Sequence, residues 1–159
     1  MSGAPGRRAV MRVLFVDAGN YCRSPAAEVV ARALIGRAHK ASQLEVGSAG
    51  LKDKHVGDTA DPRTIEACAE RGYDLAAFRC RQITAADFAR NDLILAMDRE
   101  NLMQLETRRP AASRARIELF LGGAEVPDPY FGEADGFRAM MDQIEAGAAR
   151  LLKRLTAEG

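Results

Sequence analysis

A chain of 159 residues with 47% apolar side chains suffices for one globular domain around a single core. Its net charge of +1 balances 23 basic against 22 acidic residues, which argues against a nucleic-acid or polyanion binder. No apolar run approaches the ~18 residues of a membrane span, and no signal-peptide pattern is present, so the expected location is cytoplasmic with no membrane partner. Three cysteines without a CxxC pair and two histidines argue against a disulfide framework and a zinc site, so no metal or cofactor is expected.

In chain order, residues 1–10 ("MSGAPGRRAV") are small, polar and Gly/Pro-bearing and read as a disordered leader, with a single domain over 11–159. "MRVLFV" (11–16) is an apolar run of strand length, as in a strand buried on both faces. Ser24-Pro25 opens a helix as N-cap and first helical residue, with Val30, Ala33 and Leu34 as its stripe. "LEVGSAG" (44–50) is a second strand. Asp61-Pro62 opens the next helix, with Ile65, Cys68 and Ala69 on one face and Gly72 closing it. Thr84 to Asp87 resembles a capping box before a short helix. "DLILAM" (92–97) is a third strand, Asp98 caps a helix carrying Leu102 and Leu105, and "ARIELFL" (115–121) is a fourth strand. The two prolines of "EVPDPYFG" (125–132) exclude regular structure there. The last helix, about 135–157, carries Phe137, Met140, Met141, Ile144, Ala148, Leu151, Leu152 and Leu155 at helical spacing, the methionines as core filler.

Strands alternating with helices predict an α/β fold with a four-stranded parallel sheet flanked by helices on both faces. Ligands of such sheets bind beyond the carboxyl ends of the strands, where the loop Asp17-Ala18-Gly19-Asn20-Tyr21-Cys22-Arg23 lies. Small residues, Gly and Asn let the backbone curl so that successive N–H groups form an anion nest. The following helix adds its positive end and Arg23 a planar fork. Composition alone does not separate this phosphate loop from an ordinary strand-to-helix turn with a surface arginine. A Walker A motif is absent.

The stretch "VLFVDAGNYCRSPAAE" resembles the C-x5-R-S-P signature of the low-molecular-weight protein-tyrosine phosphatases. The resemblance extends through "SAG" (48–50), "HVGDTADPRT" (55–64), "ITAADF" (83–88), "DLILAMDRENLMQL" (92–105), "EVPDPYFG" (125–132) and the last helix, nearly everything after Met11. It implies hydrolysis of phosphotyrosine and other aryl phosphates through a phosphocysteine. Phosphate would be bound by residues 18–24: Ala18, Gly19, Asn20, Tyr21, Cys22, Arg23 and Ser24. Arg23 matches the phosphate-clamping arginine, Asp128 the general acid, and Asn20 with Ser48 the loop brace. Tyr21, Tyr130 and Phe131 match walls of the substrate slot, and Lys54 falls where relatives often carry an aromatic wall residue. Ser24 matches the hydroxyl that stabilises the nucleophile's anion. Implied partners are a phosphotyrosine-containing protein, a bacterial tyrosine kinase among the candidates, and inorganic phosphate or a similar oxyanion, with the protein a monomer or weak dimer.

The departure is Asp17, which occupies the nucleophile's position. Cys22 matches the second loop cysteine, so a disulfide switch between the two is absent. A carboxylate keeps the thiolate's charge but reaches one bond further, into the phosphate's place and onto the same N–H donors. A misplacement of about 1 Å can cost on the order of 10²-fold, and loss of a nucleophile roughly 10⁶-fold in kcat. Carboxylates accept phosphoryl groups in other enzymes, beside a bound Mg²⁺, but no carboxylate cluster adjoins Asp17 in the sequence. The expectation is an enzyme by family with little activity. The alternative is a non-catalytic module that binds phosphotyrosine or another oxyanion. Arsenate reductase requires further cysteines near the third strand, which "ILAMDREN" lacks, and phosphoarginine phosphatases tend to carry a small Thr at the Tyr21 position.

Overall fold

The computed structural model describes residues 10–130 and 132–156. Most of the expected leader, Phe131 and residues 157–159 lie outside them. The elements are β1 (Met11–Asp17), α1 (Arg23–Arg37), β2 (Leu44–Gly50), α2 (Pro62–Ala69), α3 (Ala85–Arg90), β3 (Leu93–Ala96), α4 (Arg99–Arg108), β4 (Arg116–Leu119) and α5 (Ala134–Thr156). The four strands form one parallel sheet in the order β2-β1-β3-β4. From β1 the chain adds β2 on one side and then crosses to add β3 on the other. The carboxyl end of β1 therefore faces a topological switch point, where such sheets open a crevice.

The sheet is covered on both faces, as its apolar runs predict. Val13 and Phe15 of β1 face a core built from Val30 of α1 and Met140, Met141 and Ile144 of α5. Leu14 and Val16 face the opposite core, with Phe88 of α3 and Leu105 of α4. Phe15 meets Phe120 edge to face at 5.4 Å, a favoured aromatic geometry. Both methionines are fully buried.

Three helix starts form as the sequence predicts. Asp61 accepts the Arg63 N–H at 2.8 Å, Asp98 accepts the Asn101 N–H at 2.7 Å, and Asp87 accepts the Thr84 N–H at 2.7 Å. Two expectations are corrected. Ser24 does not cap α1: the helix begins at Arg23, the cap position is Cys22, and Ser24 lies in the first turn. The cause is Asp17, whose carboxylate takes the Ser24 N–H that a capping hydroxyl would otherwise serve. Ala69 does not share the buried face of α2, which is Thr64, Ala67 and Cys68. Contact of the Cys68 Sγ with the Met141 Sδ at 3.9 Å sets that face against α5. The third and fourth strands are shorter than their apolar runs, although Asp92 and Met97 still bond to the β1 backbone at 2.9 and 3.2 Å. Among the described residues no helix is long and apolar enough to cross a membrane.

Candidate active site

The loop from Ala18 to Cys22 curls at the end of β1. Asn20 makes the curl, with φ of +58°, a left-handed conformation that Asn tolerates better than most residues. Its side chain fixes the turn three ways: Nδ2 donates to the Ser24 Oγ at 2.9 Å and the Ser48 Oγ at 3.0 Å, and Oδ1 accepts the Arg81 N–H at 2.8 Å. Ser48 in turn donates to Glu28 at 2.6 Å. Ser48 reaches this position because β2 pairs with β1 in the register Phe15 to Ser48. The same register puts Gly50 beside Asp17. A Cβ on Gly50 would lie 2.5 Å from the Gly19 carbonyl carbon and 2.6 Å from the Asn20 nitrogen, so only glycine lets the loop settle on the strand.

Asp17 is 2% exposed. Its Oδ1 accepts the Asn20 N–H at 2.6 Å and its Oδ2 the Ser24 N–H at 2.9 Å. The carboxylate thus takes two of the inward amides, as its reach predicts. The backbone N–H groups of Ala18, Gly19, Tyr21 and Cys22 donate to no acceptor among the described residues. Four loop amides therefore stay open beside the two that Asp17 occupies.

Arg23 is 2% exposed and held from above. Nη1 donates to Asp98 at 2.7 Å and to the Val126 carbonyl at 2.9 Å, and Nη2 stands 3.7 Å from Asp128. Burial disfavours its charge, but Asp17, Asp98 and Asp128 outweigh that effect and raise its pKa above the ordinary value. Its Nε is buried without a hydrogen-bond partner. An unsatisfied buried donor costs about 1–3 kcal/mol, so this face of the guanidinium is primed for an acceptor.

The loop, Lys52, Lys54, His55, Asp128 and Tyr130 enclose a cavity of about 210 Å³. Tyr21 lies flat against His55, with ring centroids 3.7 Å apart and planes within 3°. Tyr130 faces Tyr21 at 6.0 Å, and the Lys54 ammonium lies 5.8 Å from the Tyr130 centroid. A larger hollow of about 630 Å³ borders β2 and the start of β1. Its Arg12, Arg32 and Arg81 are already paired with Glu45, Glu28 and Asp87, so it offers fewer convergent donors than the smaller cavity.

Cys22 borders the cavity, but its thiol is buried and 3.5 Å from an Asp61 oxygen. Burial, then the Asp61 charge, push its pKa far above the ordinary thiol value, against a lowering contact from Thr64. It is a poor source of thiolate.

Residues 12–159 match the family described as low molecular weight phosphotyrosine protein phosphatase. The chain belongs to the low molecular weight protein-tyrosine phosphatase family. A low molecular weight protein-tyrosine-phosphatase of Streptomyces coelicolor is 39% identical over 150 residues, spanning 89% of this chain and 91% of the relative. The crystal structure of a protein tyrosine phosphatase from Entamoeba histolytica, with Hepes in its active site, superposes with a TM-score of 0.87 at 34% identity, over 93% of this chain and 98% of that one. Vibrio vulnificus Wzb in complex with benzylphosphonate superposes with a TM-score of 0.80 at 29% identity, over 91% and 98%.

Within this family fold the structure brings together every site residue expected from the sequence that it describes, with Phe131 outside it. It adds Asp98, His55 and Lys52. Asp98 was legible as a helix cap through one oxygen, while the other oxygen reaches an arginine 75 residues away. His55 carried a signal only in its place beside Lys54.

Proposed function

We propose that this chain is a phosphotyrosine and aryl-phosphate phosphatase scaffold whose turnover is severely reduced because Asp17 stands where the family's attacking cysteine belongs. In this reading three phosphoryl oxygens rest on the open loop amides and the free Nε of Arg23. The ring lies between Tyr21 and Tyr130, and Asp128, at the mouth, gives its proton to the departing phenolate. Asn20 and Ser48 brace the loop, and Asp98 fixes the guanidinium.

The attacking atom is what fails. For Asp17 to form a P–O bond as the ester bond breaks, its carboxylate must leave two short amide contacts, and the product is an acyl phosphate. Cys22 does not substitute for it, because its thiol is protonated and committed to Asp61. The observation that carries this reading is the Asp17 carboxylate bound at the base of the loop. The test is Asp17→Cys on p-nitrophenyl phosphate. The Cys form should exceed the unchanged chain by on the order of 10⁴–10⁶-fold in kcat. Equal and substantial rates in both forms would refute the proposal.

A second reading, an oxyanion-binding module, is favoured by the four open amides and the unpartnered Arg23 Nε. The Hepes and benzylphosphonate ligands of the two solved relatives support it, since both present oxyanion groups. Calorimetry with sulfate, phosphate and phosphotyrosine should detect binding to the unchanged chain. No heat from any of them would dismiss this reading.

A further inference from the structure

We propose that Lys52 and Lys54 form a specificity site for a carboxylate flanking the phosphorylated side chain, so that the preferred ligand is an acidic phosphotyrosine segment. The inference rests on the proposed function of the cavity and names its substrate class.

Both lysines line the cavity, and neither has an acidic partner among the described residues. What sets these two apart is their place, since both stand at the rim of the cavity whose base holds the loop amides and Arg23. Their segment is tied to the phosphate loop. The Leu51 N–H donates to the Asp17 carbonyl at 3.0 Å and the Lys52 N–H to the Ala18 carbonyl at 2.8 Å. One turn later His55 stacks on Tyr21, and its Nδ1 lies 3.4 Å from Asp58. The two cations are thus carried on backbone anchored at both ends to the cup. Lys54 leans on Tyr130, its Nζ 5.8 Å from the ring centroid.

The acidic groups near this rim are otherwise engaged or turned away. Asp128 accepts the Tyr130 N–H at 3.0 Å and faces Arg23. Asp58 faces His55, and Asp53 is exposed and does not line the cavity. With the phosphoryl group in the cup and its ring between Tyr21 and Tyr130, the rim meets the residues next to the phosphotyrosine. Lys54, beside Tyr130 at the cavity wall, and Lys52 bring positive charge to that rim.

Two exposed ion pairs account for a preference of roughly three- to tenfold. The test compares kcat/KM of the Asp17→Cys form on phosphotyrosine peptides flanked by Glu or by Ala. Calorimetry of the same peptides is run on the unchanged chain. The Glu-flanked peptide should be favoured about three- to tenfold in low salt, less so at about 0.5 M salt. In the double variant Lys52→Ala with Lys54→Ala the ratio should fall towards one, and Lys52→Glu should shift preference to Lys-flanked peptides. Hydrolysis of p-nitrophenyl phosphate without a Glu preference, or a preference that survives the double variant, would overturn this inference and leave the proposed function standing. No hydrolysis by the Asp17→Cys form would overturn the proposed function and this inference with it.

Discussion

Replacing Asp17 by Ala removes both acceptors from the Asn20 and Ser24 amides, now held at 2.6 and 2.9 Å in a residue 2% exposed. Hydrogen bonds to charged groups contribute about 1.5–3 kcal/mol each; water entering the vacated space offsets part of that loss, while the Asp17 charge that favours the Arg23 guanidinium is also removed. The net cost should be about 2–4 kcal/mol, below the ~5–15 kcal/mol typical of a domain, so the variant folds. With a slope near 2 kcal/mol per molar, the urea midpoint should fall by about 1–2 M in chloride. Sulfate changes the outcome, because its oxygens can serve the freed amides, the four open ones and the Arg23 Nε together. At a hundredfold excess over its dissociation constant it restores about 2.7 kcal/mol. The assay is urea unfolding in sulfate and in chloride at matched ionic strength, with the parent as control for general salting effects. If sulfate shifts variant and parent equally, the cup is not an oxyanion site in which Asp17 competes, and the reasoning fails.

Two further outcomes are expected. Burial pushes the Asp61 and Asp87 carboxyls up, but hydrogen bonds from Arg63 and Arg81 outweigh it and leave both below the ordinary value near 3.9. Their stabilisation is therefore complete above about pH 4 and is lost as pH falls through the lower folded values. Urea midpoints should drop below about pH 4, less steeply in Arg81→Ala, and a parent profile flat to about pH 2 would refute this. Burial pushes the Cys68 thiol up to about 12 and the Cys80 thiol up to about 11, with Cys22 raised too. A disulfide reagent at about pH 8 should label all three slowly until the protein is denatured, while Asp17→Cys gains one fast thiol. Rapid labelling of Cys22, located by peptide mapping, would reopen its candidacy as the attacker.

Much of the fold was legible because strands buried on both faces must be apolar at every buried position, as "VLFV" and "LILA" are. Helix starts were legible where a side chain caps its own helix, at Asp61, Thr84 and Asp98. The start of α1 was misread because its amide partner comes from the preceding strand rather than from Ser24. The chemistry proposed for the loop rests on the resemblance along the whole chain, since Gly, Asn and Arg also make ordinary turns. Asp98 on Arg23, and His55 flat on Tyr21, were hidden because both depend on distant segments meeting. Periodicity records which face is buried and says nothing of which polar atoms converge.

The closeness of Gly50 to the loop has a wider meaning. The concavity is moulded by the neighbouring strand, which lies against the Gly19 and Asn20 backbone without a side chain between them. A free peptide of residues 13–28 would own the same amides and the same guanidinium, yet nothing would hold them facing one point. The shape of the proposed site is a possession of the assembled sheet, lent to a short loop by a strand that contributes no side chain at the point of contact.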